Sequence, residues 1–490
     1  MLPVRTRTIP VLAALALAAC QEAPVGPQAA LFGARASMTD GETVEVADAA
    51  LPHLVHFKPG RGDAVRMAAS AVGGTVESLN DRFGFAVVTG LDGESDLAAL
   101  RGVNGVLDVA LDEVVSMDLP TTVETADADL ESPTAPNTAA FYARQWHMQV
   151  VDAASAWSAG KLGSSSVTVA VIDGGVDWTH PDLAGRVDLA RSVSFLPIET
   201  SVVNTLYPGA HPVADLQYHG THVAATIASN GIVGAGVTSQ TTIVGIKACY
   251  GVNITSGGVL VARAGSCSGA AILSGLAHAI ETGADVVNMS LGGAFLKRGS
   301  KGYVSTLNRV FNAASQAGIT VVVAAGNNGS DLDRHQLPDA DGNPVDYPSL
   351  FKTYCDAPHV LCVSATGPTA GDLNGPWTNI DALAGYSNYG RSVISVAAPG
   401  GNFRPVWAAC SKFSRAVPQC RTGNFILGIS GTSMATPHVA GLAALLNAEG
   451  ITQPSQVRAR IRQGAVDLGE PGHDAQYGAG RISVRGSLGL

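Results

Sequence analysis

Charge is scarce in this 490-residue chain, in which Asp, Glu, Lys and Arg together make up 14%. Hydrophobic residues reach 46%, enough for a large buried core, so a disordered, charge-solvated chain is excluded. Positive charge is scarcer than negative: 30 Lys and Arg face 40 Asp and Glu, for a net charge of −10. No basic stripe is present, and no nucleic-acid partner is expected. Long apolar runs are missing as well. The run from Ile9 to Ala19 is about half of the ~20 residues that a membrane helix needs. No repeat of roughly 20–50 residues recurs, which argues against a solenoid or propeller. Cysteine is sparse and odd in number, at seven. Glycine, at 57, is plentiful and suits tight turns and close backbone approaches.

Arg5 and Arg7 precede the short apolar run, and small residues follow it. Residues 1–20 therefore read as an export signal. Leu17-Ala18-Ala19-Cys20 resembles a bacterial lipobox, which implies a lipid on Cys20 and a lipoprotein tethered at the cell envelope. An ordinary cleaved signal and a secreted chain are the alternative. Six cysteines remain, and an even set in an exported chain implies disulfides. Sequence leaves their connectivity open. Pairing between neighbours is expected: Cys249–Cys267, Cys355–Cys362 and Cys410–Cys420.

Residues 21–50, rich in Ala, Pro and Gly, read as a flexible tether. Residues 51–118 change texture. Strand-like Leu54–Phe57, helical Asp63–Ala71, strand-like Phe83–Val88, helical Ser95–Leu100 and strand-like Val106–Val115 suggest a small α+β domain with helices on one face. Residues 119–140 read as an exposed, cleavable linker. From 141 to 490, apolar runs alternate with helical segments. The runs are Val167–Ile172, Thr242–Ile246, Val286–Met289 and Ile319–Ala324; the helices are His222–Ala228, Ala270–Glu281 and Leu307–Ala317. That alternation predicts an α/β domain on a mostly parallel sheet with helices on both faces. Functional residues then belong at the carboxyl ends of its strands.

Three segments carry chemistry. Val169-Ala-Val-Ile-Asp173 ends a buried strand on an acid. His219-Gly-Thr-His222 opens a helix. Gly431-Thr-Ser433-Met-Ala-Thr-Pro437 places a serine near a helix start, with Pro437 expected in the first turn. Taken singly these are a strand-end acid, a capping histidine and a turn serine. Together they are the acid, base and nucleophile of acyl transfer.

These segments resemble the three signature blocks of the subtilisin-like serine proteases, in that family's order of Asp, His and Ser; the serine block matches across residues 431–441. The resemblance spans about 140–490. Residues 51–118 more weakly resemble the subtilisin-type propeptide, a ferredoxin-like α+β domain that assists folding and blocks the cleft. The resemblance implies a self-processing zymogen whose Ser433 is the nucleophile, His219 the base and Asp173 its orienter. It implies Asn327, after Ala324-Ala-Gly, as an oxyanion donor beside the Ser433 N–H. Ser290, Leu291 and Gly292 match a substrate-pairing edge. Asp346 matches a position on the primary specificity pocket and suggests a basic side chain before the scissile bond. Protein or peptide substrates, the chain's own propeptide as inhibitor, and a monomer are implied. No cofactor is implied for the chemistry. Asp182 matches a calcium ligand of some members, although the calcium loop is shortened near Asn230-Gly231-Ile232. His219 and His222 are spaced like metal ligands on a helix, but no third ligand is evident. A catalytically silent binding protein that keeps the fold is the rival. A nucleotide site at Asp173 lacks the G-x-G-x-x-G that it needs.

Overall fold

The structure is a computed structural model that describes residues 34–37, 43–46, 52–112, 114–117, 119, 123–127, 135–256, 259–292, 295–296, 300–334, 336–338, 344–346, 350–351 and 353–490. The export signal with Cys20, Gly293 and residues 347–349 lie outside these.

The first unit runs β1 (His53–Phe57), α1 (Gly62–Ala71), β2 (Thr75–Asn80), β3 (Phe85–Thr89), α2 (Glu94–Arg101) and β4 (Val106–Leu111). Its sheet has the order β2-β3-β1-β4, antiparallel throughout, which is the ferredoxin-like arrangement. Strand β2 was not expected from sequence. Thr-Val-Glu-Ser-Leu-Asn buries none of its side chains fully, so its apolar signal is weak. The alternation along β1 sends Val55 and Phe57 into a core shared with α1 and α2. Leu54 points the other way, into a second core, and Phe83 and Phe85 join it there.

The large unit carries β5 (Thr168–Asp173), β6 (Val193–Ser194), α3 (His219–Ile227), β7 (Thr242–Lys247), α4 (Gly269–Glu281), β8 (Val286–Met289), α5 (Lys301–Gln316), β9 (Thr320–Ala324), β10 (Val360–Thr366), β11 (Val396–Pro399) and α6 (Thr432–Ala448). Seven strands form one parallel sheet in the order β6-β7-β5-β8-β9-β10-β11. The strands are apolar throughout because alternate residues feed two cores. Val169 and Val171 meet α3 and α6 on one face. Ala170 and Ile172 meet α4 and α5 on the other. At ~25 cal/mol per Å² of apolar area, burial on both faces is the main force holding these layers together.

The first unit docks its open face on α5. His56 Nδ1 lies 3.0 Å from Thr306 Oγ1, and Arg309 donates to the Phe83 carbonyl at 2.9 and 3.1 Å. A Cβ at Gly302 would lie within 2.8 Å of His56 and Asp108, so only glycine lets the sheet approach this closely.

Two stretches depart from the sequence reading. The expected tether contains strands Ala34–Ser37 and Thr43–Val46, which pair with each other; the first also pairs with Asn253–Ser256. Buried Val44 packs with Val202, Leu216 and Ile254. The expected linker contains strand Glu124–Ala126, paired antiparallel with Ile426–Ile429. Just before it, Val114–Ser116 pairs antiparallel with Ser266–Ser268. Both stretches are short and edge-paired, so neighbours supply the order that their composition hides.

Candidate active site

Strand β5 delivers Asp173 to the carboxyl edge of the sheet, where its side chain is fully buried. His219 starts α3, and its Nδ1 lies 2.9 and 3.0 Å from the two Asp173 oxygens. An ionised carboxylate only accepts, so Nδ1 carries the proton and Nε2 presents its lone pair. Among the described residues Nε2 has no hydrogen-bond partner. Burial alone would lower the His219 pKa. The Asp173 charge and hydrogen bond, with help from Asp215, more than offset this and raise it above the ordinary value. Gly220 is required next in sequence: a Cβ there would lie 2.0 Å from the Gly175 carbonyl and 3.0 Å from Asp173.

Asp215 is a site residue that the sequence reading missed. Its Oδ2 accepts from the Thr221 N–H at 2.9 Å and the Thr221 hydroxyl at 2.7 Å, which caps the first turn of α3 from outside. Its Oδ1 accepts from Gln217 N–H at 3.0 Å. Burial, partly countered by Thr221 and reinforced by the Asp173 charge, pushes its pKa up to about 6. An acid between Ala214 and Leu216, four residues before His219, was the available signal.

Ser433 is the second residue of α6, where the helix leaves backbone N–H groups unpaired. Pro437 is the sixth residue, in the second turn and not the first. It has no N–H to offer the Ser433 carbonyl four residues back. The Ser290 hydroxyl takes that place, donating to the Ser433 carbonyl at 2.8 Å. In return the Ser433 hydroxyl donates to the Ser290 carbonyl at 3.1 Å. Ser433 is therefore turned toward the β8 end, not yet hydrogen-bonded to His219. Catalytic hydrogen bonds in free enzymes often tighten only when substrate binds.

Asn327 follows β9, and its Oδ1 accepts from the Thr432 N–H and hydroxyl, both at 2.8 Å. Two donors fix Oδ1 there and turn the Nδ2 amide toward Gly431, where a Cβ would lie 3.4 Å from it. Leu291 is buried, and a Cβ at Gly292 would lie 3.2 Å from Thr353 Oγ1, which explains the glycine. The opposite edge, Gly265–Ser268, was not singled out from sequence. Here Met117 N–H donates to the Gly265 carbonyl at 2.8 Å. The buried Met117 side chain lies 3.9 Å from where a Cβ would stand at Gly174, beside Asp173.

Asp346 is exposed, at the end of a ribbon made by Gln336–Pro338 and Pro344–Asp346. Among the described residues no hydrogen bond or ion pair joins it to Asp173, His219, Asn327 or Ser433. Asp182 is buried, with three backbone N–H groups, of Ile232, Val233 and Gly234, donating to its two oxygens at 2.8–2.9 Å. Amide hydrogens converge where a cation would have to approach, so this carboxylate does not fit a calcium ligand. Nor do the described residues hold any group of three or more His, Cys, Asp or Glu arranged for a metal. His222 spends Nε2 on the Val406 and Leu427 carbonyls, 3.1 Å from each, as a core histidine and not a ligand. The bridges Cys249–Cys267, Cys355–Cys362 and Cys410–Cys420 are all formed, with S–S distances of 2.06, 2.02 and 2.02 Å. No helix among the described residues is long and apolar enough to cross a membrane.

Residues 164–480 match the subtilase family. The chain is 33% identical over 346 residues to a thermophilic serine proteinase of Bacillus sp. (strain AK1), which covers 70% of this chain and 67% of that one. It is 33% identical over 331 residues to subtilisin E of Bacillus subtilis (strain 168), covering 67% of each. Halolysin of Haloferax mediterranei is also 33% identical, over 354 residues and 71% of this chain, but the match spans only about half, 53%, of halolysin. In fold, the chain is similar to the epidermin leader peptide processing serine protease of Staphylococcus aureus. The TM-score is 0.65 at 19% identity, over 90% of this chain and 98% of that one. The chain belongs to the subtilase family of serine proteases.

Proposed function

We propose that this protein is a serine endopeptidase that cuts peptide bonds through an acyl-enzyme on Ser433 and is made as a self-processing zymogen. The observation that carries the reading is a buried imidazole with one nitrogen held by Asp173 and the other open, on a helix that packs against the one bearing Ser433.

The chemistry follows from these groups. Ser433 Oγ turns from Ser290 toward His219, loses its proton to Nε2 and attacks the scissile carbonyl carbon. The carbonyl oxygen becomes an oxyanion and accepts from Asn327 Nδ2 and the Ser433 N–H. As the C–N bond breaks, the proton on Nε2 passes to the leaving amine. Water then repeats the sequence on the acyl carbon, giving its proton to Nε2 and restoring the Ser433 hydroxyl. Asp173 holds the tautomer and stabilises the imidazolium. No step requires a cofactor.

Self-processing is supported by the chain's own path. It meets the cleft along Ser266–Ser268 and next pairs along Ile426–Ile429, the strand that leads into Gly431 and Ser433. The cut bond is accordingly expected between Met117 and Val123, and the docked ferredoxin-like unit becomes the inhibitor. The export signal and three disulfides support a site of action outside the cytoplasm, with Cys20 as the lipid-bearing tether. Asp346, exposed on its ribbon, gives a basic preference little support.

Labelling with a serine-directed fluorophosphonate tests the reading. Processed wild type should label and Ser433→Ala should not; wild type that never labels would favour the silent binding protein.

A further inference from the structure

A cavity of about 430 Å³ beside the site has no part in the chemistry above. Gln217 and Tyr218, which immediately precede His219, form one wall. Ala416, Val417 and Gln419, from the loop closed by Cys410–Cys420, form the second. The chain's own Leu119 and Val123 close the third. None of the described residues that line the cavity is charged. The loop is fastened to the segment that carries His219. The Ser411 hydroxyl donates to the Asp215 carbonyl at 2.6 Å, Arg415 N–H donates to the Leu216 carbonyl at 2.7 Å, and the Ser414 hydroxyl donates to the Gln217 carbonyl. Lys412 N–H adds a bond to Asp177 Oδ2 at 2.8 Å. Such a wall is held in place before any ligand arrives.

The chain's direction says what the cavity takes. Val114–Ser116 lies before the expected cut, and Val123 and Thr125 lie after it wherever in the window the cut falls. Val123 and Thr125 line the cavity, as does Leu119, inside the window. When the cut ends are exchanged for a substrate, the residues that replace them are those on the leaving-group side.

We propose that the Cys410–Cys420 loop, with Gln217 and Tyr218, forms a subsite for an uncharged, mainly apolar side chain on the leaving-group side of the scissile bond of a peptide substrate. This rests on the protease reading. Pockets of this kind discriminate through lost apolar contact and through burial of an unpaired charge.

The test is cleavage of a quenched-fluorescent peptide library varied on the leaving-group side by processed enzyme, with fluorophosphonate labelling counting competent sites. Wild type should favour Leu, Val or Ile over Asp and Lys at one such position by about tenfold or more. Val417→Glu should lose that preference and turn toward Lys or Arg there, with the profile before the scissile bond unchanged. If Val417→Glu does not label, Gln419→Glu at the exposed rim supplies the same charge and should shift the profile in the same direction. A flat leaving-group profile in labelled wild type overturns the subsite alone. So does a labelled glutamate variant with the wild-type profile. Wild type that does not label overturns the protease reading and the subsite with it.

Discussion

The parallel sheet and the antiparallel sheet of the first unit differ in how they use their faces. The parallel sheet covers both faces with its own helices, α3 and α6 on one side and α4 and α5 on the other. Only its strand ends are left for chemistry, and Asp173 and Asn327 stand at or just beyond them. The antiparallel sheet of the first unit covers one face with α1 and α2 and lends the other to α5. The parallel sheet is thus covered by its own unit, whereas the first unit completes its burial only while docked. Substitutions at the strand ends should then change rate and leave docking alone. Substitutions on the docking face should do the reverse.

The sharpest break in that comparison is Asp173→Asn. The amide can leave the wrong His219 tautomer in place, and kcat should fall by about 10⁴ with the fold retained. Circular dichroism beside steady-state kinetics checks this; loss of fold along with rate would mean that Asp173 holds the sheet together. Next comes Asn327→Ala, expected to lower kcat by about 10²–10³ with little change in KM. A smaller loss, or one confined to KM, would move the oxyanion donor elsewhere.

The docking face should answer to pH. Burial, reinforced by the Arg309 charge, lowers the His56 pKa to about 3. Freed, the imidazole returns to its ordinary value near 6.5. Protonation therefore favours the undocked state, and the hold on the first unit should weaken as pH falls from about 6.5 toward 3, by up to about tenfold per unit. His56→Leu should flatten most of this dependence in a pull-down of the processed complex across pH. An unchanged slope would place the sensitive group elsewhere. On the catalytic side, kcat/KM should rise with pH through the His219 value, which lies above the ordinary one. Asp215→Asn should move that limb to lower pH, because it removes a charge that favours the imidazolium.

The smallest effect expected concerns metal. Asp182, at a position that matches a calcium ligand of some family members, gathers three amide N–H groups instead. Asp182→Ala should cost about 2–4 kcal/mol by stranding buried donors. A chelator should leave the melting temperature of wild type unchanged, and a fall of several degrees would restore the calcium site.

Strands β5, β7, β8 and β9 were legible because each buries both faces and reads as one apolar run. The proposed triad stood out in the sequence because acid, base and nucleophile stand in short, distinctive segments, and the structure joins Asp173 to His219. Strand β2 was hidden because an edge strand with no fully buried side chain carries little pattern. Strands Ala34–Ser37 and Glu124–Ala126 were hidden because their order comes from distant partners. Asp215 was hidden because its role depends on Thr221 and Asp173 meeting it in space. Pro437 was assigned one turn too early, and only the structure links its missing N–H to Ser290.

Ser433, acting with His219, is proposed to cut its own chain between Met117 and Val123. N-terminal sequencing and intact mass of purified wild type beside Ser433→Ala test it most directly. A mature wild type beginning between residues 118 and 123 is expected, beside a Ser433→Ala chain that keeps its first unit. The same shortened chain in both, or a wild-type start well beyond Asp127, would contradict it.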